Sequence, residues 1–266
     1  MMTNKEYRQA EGISRSELFK IKRSPMHFKY EMENPSEPTP ALIFGQAAHK
    51  YILEPEGFCD EFAVVPVCDR RTKDGKSTWA EFVSQSEGKK VIAQEEFEKI
   101  MDMGCVVNAN KYAKLLLSGK HEQSFFWTDD MTGEKCKCRT DAMYENTSMG
   151  IIVDLKTCES ADTESFMRDV VKYGYDMQAA MYREGVEINT GKKWDFVFIA
   201  VEKKPPYAVN ILQADELIFT RGRDLFRELI GIYHSCKETG DWYGYNGFSG
   251  MINNLSLPRW LAKEYE

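Results

Sequence analysis

"GIIVDLKT", residues 150–157, is a run of β-branched and apolar residues that ends in two charges of opposite sign. A near-continuous apolar run of this length predicts a strand covered on both faces. Side chains in a strand alternate with a period of two, so Asp154 and Lys156 share one face at its end. Upstream, "HEQSFFWTDD" (121–130), the turn "MTG" (131–133), "EKCKCRTDAMYE" (134–145) and the turn "NTSM" (146–149) predict two more strands, the second alternating in polarity. Folding the chain at the middle of the second turn sets Asp141 opposite Asp154. Cβ atoms so opposed are roughly 4.5–5.5 Å apart. Two carboxylates about 5 Å apart repel by roughly 3 kcal/mol at an effective dielectric of about 20.

Something positive belongs between them. Lys156 neutralises part of the charge, and the pair then reads as a buried ion network that fixes strand register. A hard divalent cation is the other reading, because Mg²⁺ takes one or two carboxylates and completes its shell with water and substrate phosphate. In that case the ion acidifies a bound water and screens a phosphodiester, while Lys156 orients or deprotonates the water and offsets charge on the phosphoryl oxygens. The Asp/Glu-x-Lys pattern alone is weak: it also occurs at Asp74–Lys76, Glu87–Lys89 and Glu202–Lys204. Only Asp154–Lys156 follows a core strand.

Working outward, residues 162–173 and 175–188 read as two helices. "WDFVFIAVE" (194–202) reads as a buried strand, "YAVNILQ" (207–213) as its antiparallel partner after Pro205 and Pro206, and 214–238 as a closing helix. Toward the N-terminus, Ser14 to about Glu33 reads as one helix opened by a Ser14–Glu17 capping box. "NPSEPTP" (34–40) breaks it, and "ALIFGQAAHKYILEP" (41–55) is a further helix ended by Pro55. Residues 66–90 are polar and weakly periodic and read as a long loop or mobile arm. Residues 93–117 carry apolar positions at spacings of three and four and read as one long amphipathic helix. This order predicts an α/β domain with a mixed central sheet flanked by helices. A single domain over 1–266 is expected, with a helical, basic-loop elaboration at 1–92, a core at 93–240 and a tail at 241–266.

The 266 residues are 42% hydrophobic and 29% charged, with no apolar run long enough for a bilayer. The first twenty residues lack the apolar core of a secretory signal, so a cytoplasmic protein without a membrane partner is expected. Seven scattered cysteines indicate neither a disulfide framework nor a paired zinc knuckle. The net charge of −7 argues against nucleic acid, but it is unevenly spread. Residues 1–30 hold seven Lys or Arg against three Glu, and "DRRTKDGK" (69–76) adds Arg70, Arg71, Lys73 and Lys76. These are either solvated surface or a grip on phosphate.

Taken together, "CRTD" ending at Asp141, "IVDLK" with Asp154 and Lys156, an upstream Glu122 and "QAAMY" from Gln178 to Tyr182 resemble the PD-(D/E)XK nuclease superfamily in its RecB-like branch. "ISRSELFKIKRSPMHFKYEMENP", "FGQAAHKYILEPEGFCDEFAVVP" and "DRRTKDGKSTWAEF" are similar to the exonuclease VIII, RecE-type nuclease domain of prophages. The likeness spans most of 12–235, with Thr140 where the superfamily name has Pro. It implies a restriction-endonuclease-like αβββαβ core. It further implies metal ligation by His49, Asp141, Asp154 and the Leu155 carbonyl, with Glu122 as a second-metal or water-linked acid. Catalysis would rest on Lys156, supported by Gln178 and Tyr182, and Ser16 would contact a phosphate. The implied activity is a Mg²⁺-dependent 5′-to-3′ exonuclease on double-stranded DNA ends, with Mn²⁺ able to substitute. Its 3′ tails would feed a phage-type annealing protein, and a homo-oligomeric ring is implied by analogy. Arg70, Arg71 and Lys73 would then grip phosphates without reading bases. A restriction or repair endonuclease, or a silent DNA-binding module, has the same fold; an iron–sulfur version needs clustered cysteines that this chain lacks.

Overall fold

The computed structural model describes residues 2–147, 150–248, 250 and 252–263, so Ser148 and Met149 of the NTSM turn lie outside the described residues. In chain order the elements are α1 (Asn4–Gln9), β1 (Ile13–Ser14), α2 (Arg15–Leu18), α3 (Pro25–Glu33), α4 (Pro40–Leu53), α5 (Phe58–Glu61), β2 (Phe62–Val64), α6 (Lys73–Gln85), β3 (Lys90–Ile92), α7 (Gln94–Ala109) and α8 (Lys111–Leu116). Then come β4 (Lys120–Thr128), β5 (Lys135–Glu145), β6 (Gly150–Cys158), α9 (Thr163–Tyr173), α10 (Tyr175–Thr190), β7 (Asp195–Glu202), β8 (Val209–Gln213), α11 (Glu216–Thr239) and α12 (Arg259–Ala262).

The main sheet is mixed, as expected. Its order is β1-β5-β6-β7-β8, with β4 also on β5. β5 runs antiparallel to β4 and β6, β6 parallel to β7, and β7 antiparallel to β8. On one face Ala47, Ala48, Ile100 and Met103 of α4 and α7 pack on Val153, Leu155, Val197 and Ile199. On the other, Phe166, Val170 and Ala179 of α9 and α10 pack on Ile152, Phe196 and Phe198. Burial on both faces is the reason β6 and β7 are apolar at successive positions. A third cluster, including Ile13, Leu18, Phe28, Met177 and Phe226, ties the N-terminal segments to α10 and α11.

Three expectations need correction. The 14–33 helix is broken: α2 keeps the Ser14–Glu17 capping box, a 3₁₀ turn follows at Phe19–Lys22, and α3 begins afresh at Pro25 with Ser24 as its cap. Proline has no N–H to continue a helix but fits the first position of a new one. The 66–90 loop contains a helix, α6, whose start is capped by the Thr72 hydroxyl accepting from the Gly75 amide at 3.0 Å. Gly75 is buried, Trp79 and Phe82 are partly covered and the rest is exposed, which leaves a weak periodic signal. The 93–117 helix divides at Asn110, where the backbone turns extended and the side chain caps the amides of Tyr112 and Ala113.

Candidate active site

β5 is longer than any strand beside it, and this creates the site. Its second half pairs with β6, from Glu145↔Gly150 to Ala142↔Val153. Its first half pairs with β1, at Ile13↔Cys136 and Ser14↔Lys137. β4 occupies the other edge, so β1 and β6 share one edge and part company between these two ladders. The register carries Asp141 to its place opposite Asp154 at the opening of this fork. There Leu155 has no strand partner on that side. Its amide donates instead to Asp141 Oδ2 at 2.7 Å, and its carbonyl oxygen meets His49 Nε2 of α4. The other nitrogen of His49 lies 3.6 Å from Asp141 Oδ2.

Asp154 and Lys156 stand behind the fork on the α9/α10 side. Asp154 is 1% exposed. Its Oδ1 accepts from Gln178 Nε2, and its Oδ2 lies 2.5 Å from the Lys156 ammonium. That short approach does not have hydrogen-bond geometry, and Oδ2 is left without a hydrogen-bond donor. The distance therefore describes a charge contact only. Lys156 also rests 4.7 Å from the centre of the Tyr175 ring. Asp141 opens onto a cleft of about 620 Å³, which is also lined by Ser14, Arg15, Ser16, Gln46, Glu122, Arg139 and Tyr182. Burial pushes the Asp141 carboxyl up to about 6, opposed by His49 and reinforced by the neighbouring Asp154.

The donor atoms here suit a divalent metal. Among the described residues no three His, Cys, Asp or Glu side chains close into a cage. What converges is two carboxylates, the Leu155 carbonyl and an imidazole, an open and largely oxygen set of the kind a hard cation completes with water. Asp154 Oδ2, which accepts no hydrogen bond, and Asp141, whose ionisation burial disfavours, both fit a bound cation. A pH dependence follows. Below about 6 the Asp141 carboxyl is protonated and cannot ligate, so divalent-metal affinity falls about tenfold for each pH unit, roughly 1.4 kcal/mol; above that value it levels off. Calorimetric Mn²⁺ titrations at several pH values check this, and a flat profile removes Asp141 from the ligand set.

Glu122 of β4 lies at the register position facing Asp141 of β5, between the pairs His121↔Ala142 and Gln123↔Thr140. It adopts a left-handed φ of 52°, rare for a side chain with a Cβ, which interrupts the ladder and turns its carboxylate onto Arg139. Tyr182 lies one helical turn after Gln178, and burial raises its phenol well above its usual range. Ser16 reaches the cleft, 3.2 Å from the Ser14 hydroxyl. Arg70, Arg71 and Lys73 do not line it. Arg70 covers the Trp79 ring at 4.3 Å and Arg71 forms a bidentate pair with Asp69, both at the exposed start of α6. Sequence reasoning missed Arg15, Arg139 and Gln46 as cleft residues. The signal for Arg139 was present: in "KCKCRTD" the odd positions Lys137, Arg139 and Asp141 share one face.

A family model described as a PDDEXK-like domain of unknown function (DUF3799) matches residues 14–254. The chain belongs to this PDDEXK-like family. No curated protein sequence matches the chain. Among solved structures it is similar to a candidate exonuclease from Eubacterium rectale, with a TM-score of 0.63 and 17% identity over 97% of this chain and 96% of that one. That likeness establishes the restriction-endonuclease-like fold. The protein SSO0001 overlaps far less, at a TM-score of 0.31 and 12% identity over 79% of this chain and 86% of that one. The PDDEXK-like assignment supports a nuclease, and no helix among the described residues is long and apolar enough to cross a membrane.

Proposed function

We propose that the protein is a Mg²⁺-dependent exonuclease that degrades one strand of double-stranded DNA from its 5′ end and leaves 3′ single-stranded tails. The observation that carries this reading is the fork. It sets Asp141 on a cleft whose walls carry Arg8, Arg15, Lys20, Lys137 and Arg139 against Glu17 and Glu122, with the Leu155 main chain, Asp154 and the Lys156 ammonium directly behind it. A basic cleft in a chain of net charge −7 concentrates positive potential where a phosphodiester backbone would lie.

His49, Asp141, Asp154 and the Leu155 carbonyl would hold the cation. When bound, it supplies Lewis-acid polarisation and an acidified water. Gln178 fixes Asp154 by donating to Oδ1, which leaves Oδ2 for ligation or for Lys156. Lys156, held between Asp154 and the Tyr175 ring, orients the attacking water and offsets charge on the phosphoryl oxygens. Tyr182 and Ser16 border the path of the strand, and Glu122, steadied by Arg139, would take a second cation or a linked water. Arg70 and Arg71 with Lys73 would meet flanking duplex away from the cleft. A ring of several copies around DNA and delivery of the tails to a single-strand annealing protein complete the reading.

The test uses end-labelled linear duplex and covalently closed circular DNA, with and without Mg²⁺. Release of nucleotides from the linear form alone, and only with metal, is expected. Cutting of the circle would replace the exonuclease by an endonuclease of the same fold, and release from 3′ labels first would reverse the polarity.

A further inference from the structure

Arg15 is a half-buried cation that pairs with no carboxylate among the described residues. It follows β1 directly and sits at the wall of the cleft beside Ser14 and Ser16. Its Nη2 donates to the Tyr173 carbonyl, while Nε is buried with no acceptor at all. Burial lowers its guanidinium from the usual value, but arginine stays charged in proteins. A desolvated guanidinium left partly unsatisfied costs stability, and such a cost is retained where a ligand relieves it.

Its position indicates which ligand. The guanidinium carbon is 5.7 Å from the centre of the Tyr175 ring, the same ring on which Lys156 rests at 4.7 Å. The two cations are therefore at most about 10 Å apart, arranged about one aromatic side chain, and only Lys156 has a carboxylate partner. Asp154, behind the ring, is near enough to act on Arg15 through space. The placement is built into the backbone. Gly174, at φ +67°, joins α9 to α10, and a Cβ there would come within 2.3 Å of the Phe19 ring. That ring in turn lies 5.0 Å from the guanidinium. Phe19, Tyr173 and Tyr175 thus hold Arg15 rigidly in place, as transition-state recognition requires.

We propose that Arg15 binds a non-bridging oxygen of the scissile phosphate, near Lys156 at the Tyr175 ring, and so offsets the charge that develops on the phosphoryl group during attack. This rests on the nuclease reading above. The planar fork of arginine suits two phosphoryl oxygens at once, which a lysine ammonium does not reproduce.

The measurement is single-turnover cleavage of linear duplex together with duplex affinity in Ca²⁺, for wild type, Arg15→Gln and Arg15→Lys. Loss of a donor to developing charge lowers the cleavage rate about 10²–10³-fold. Affinity should change by no more than a few fold, and Arg15→Lys, whose ammonium lacks the planar fork, should recover little of the rate. Two substrates are compared, with 5′-phosphate and with 5′-hydroxyl ends, and the same defect is expected on both. A defect confined to phosphorylated ends would assign Arg15 to the terminal phosphate and overturn the proposal, as would a wild-type rate in Arg15→Gln. Inorganic phosphate, titrated against chloride of equal ionic strength, should raise the unfolding temperature of the wild type and not that of Arg15→Lys. This second arm does not depend on Arg15→Gln folding. If the wild type cuts no DNA, the nuclease reading falls, and phosphate stabilisation lost in Arg15→Lys still sustains the anion seat; equal stabilisation of both proteins removes it.

Discussion

Asp154→Asn should lower the rate of duplex cleavage at saturating Mg²⁺ by at least about 10³-fold, an increase in barrier of about 4 kcal/mol. The substitution conserves shape. An asparagine oxygen still accepts from Gln178 Nε2, so α10 stays docked on the sheet and the loss cannot be laid to a displaced helix. What disappears is the charge. Lys156 loses the carboxylate oxygen 2.5 Å from its ammonium, and the cation loses one of its two carboxylates. Stability moves less, because two effects oppose each other. A half-shielded ammonium is left unpaired, which is costly in a buried setting, while the repulsion that helps raise Asp141 is removed. The Asp141 carboxyl should then ionise at lower pH, which a carbonyl-region NMR titration follows. Lys204→Ala is the control. Lys204 ends another Asp/Glu-x-Lys pattern, but it is exposed and paired with Glu159, and cleavage should stay within a factor of about two. An Asp154→Asn enzyme that cuts at the wild-type rate would end the assignment of this site.

Gly222→Ala should destabilise the fold by about 3 kcal/mol or more, although alanine is the better helix former by about 1 kcal/mol. Gly222 lies on α11 where that helix crosses α10. An added Cβ would come within 2.0 Å of the Asp176 carbonyl oxygen and 2.4 Å of its carbon. These are backbone atoms that cannot rotate away, so the two helices must separate. α10 carries Tyr175, Gln178 and Tyr182, and a shift there loosens the grip on both Asp154 and Lys156. Cleavage should fall with stability. Gly231→Ala on the same helix supplies the contrast: nothing lies within 4 Å of its added Cβ. It should gain up to about 1 kcal/mol in urea denaturation. Equal effects at the two positions would show that helix propensity, and not close approach, governs Gly222.

The hairpin at the centre of the site was legible because its determinants are local. Alternating polarity at 134–145 and the apolar run at 150–157 specify two strands, and the short connection between them sets Ala142↔Val153 and Glu145↔Gly150. The facing of Asp141 and Asp154 follows from that register alone. Lys156 on the Asp154 face and Tyr182 one turn beyond Gln178 follow from the periods of strand and helix. The breaks at Pro25 and Asn110 were also written in the chain, but apolar spacing on either side outweighed single turn-forming residues. The helix at α6 was missed because an element that buries almost nothing has little pattern to display.

By itself, then, the chain determined its strands, most of its helices and the confrontation of two carboxylates, since each depends on side-chain periodicity over a few residues. Only the tertiary structure decided that β1 takes the place of β6 along β5, which leaves the Leu155 amide and carbonyl facing an open fork. It also decided that His49, 106 residues away, meets that carbonyl, and that Arg15, 158 residues from Tyr173, arrives uncompensated beside Lys156. These meetings arise from packing between distant segments, and no local repeat encodes which segment comes to rest against which.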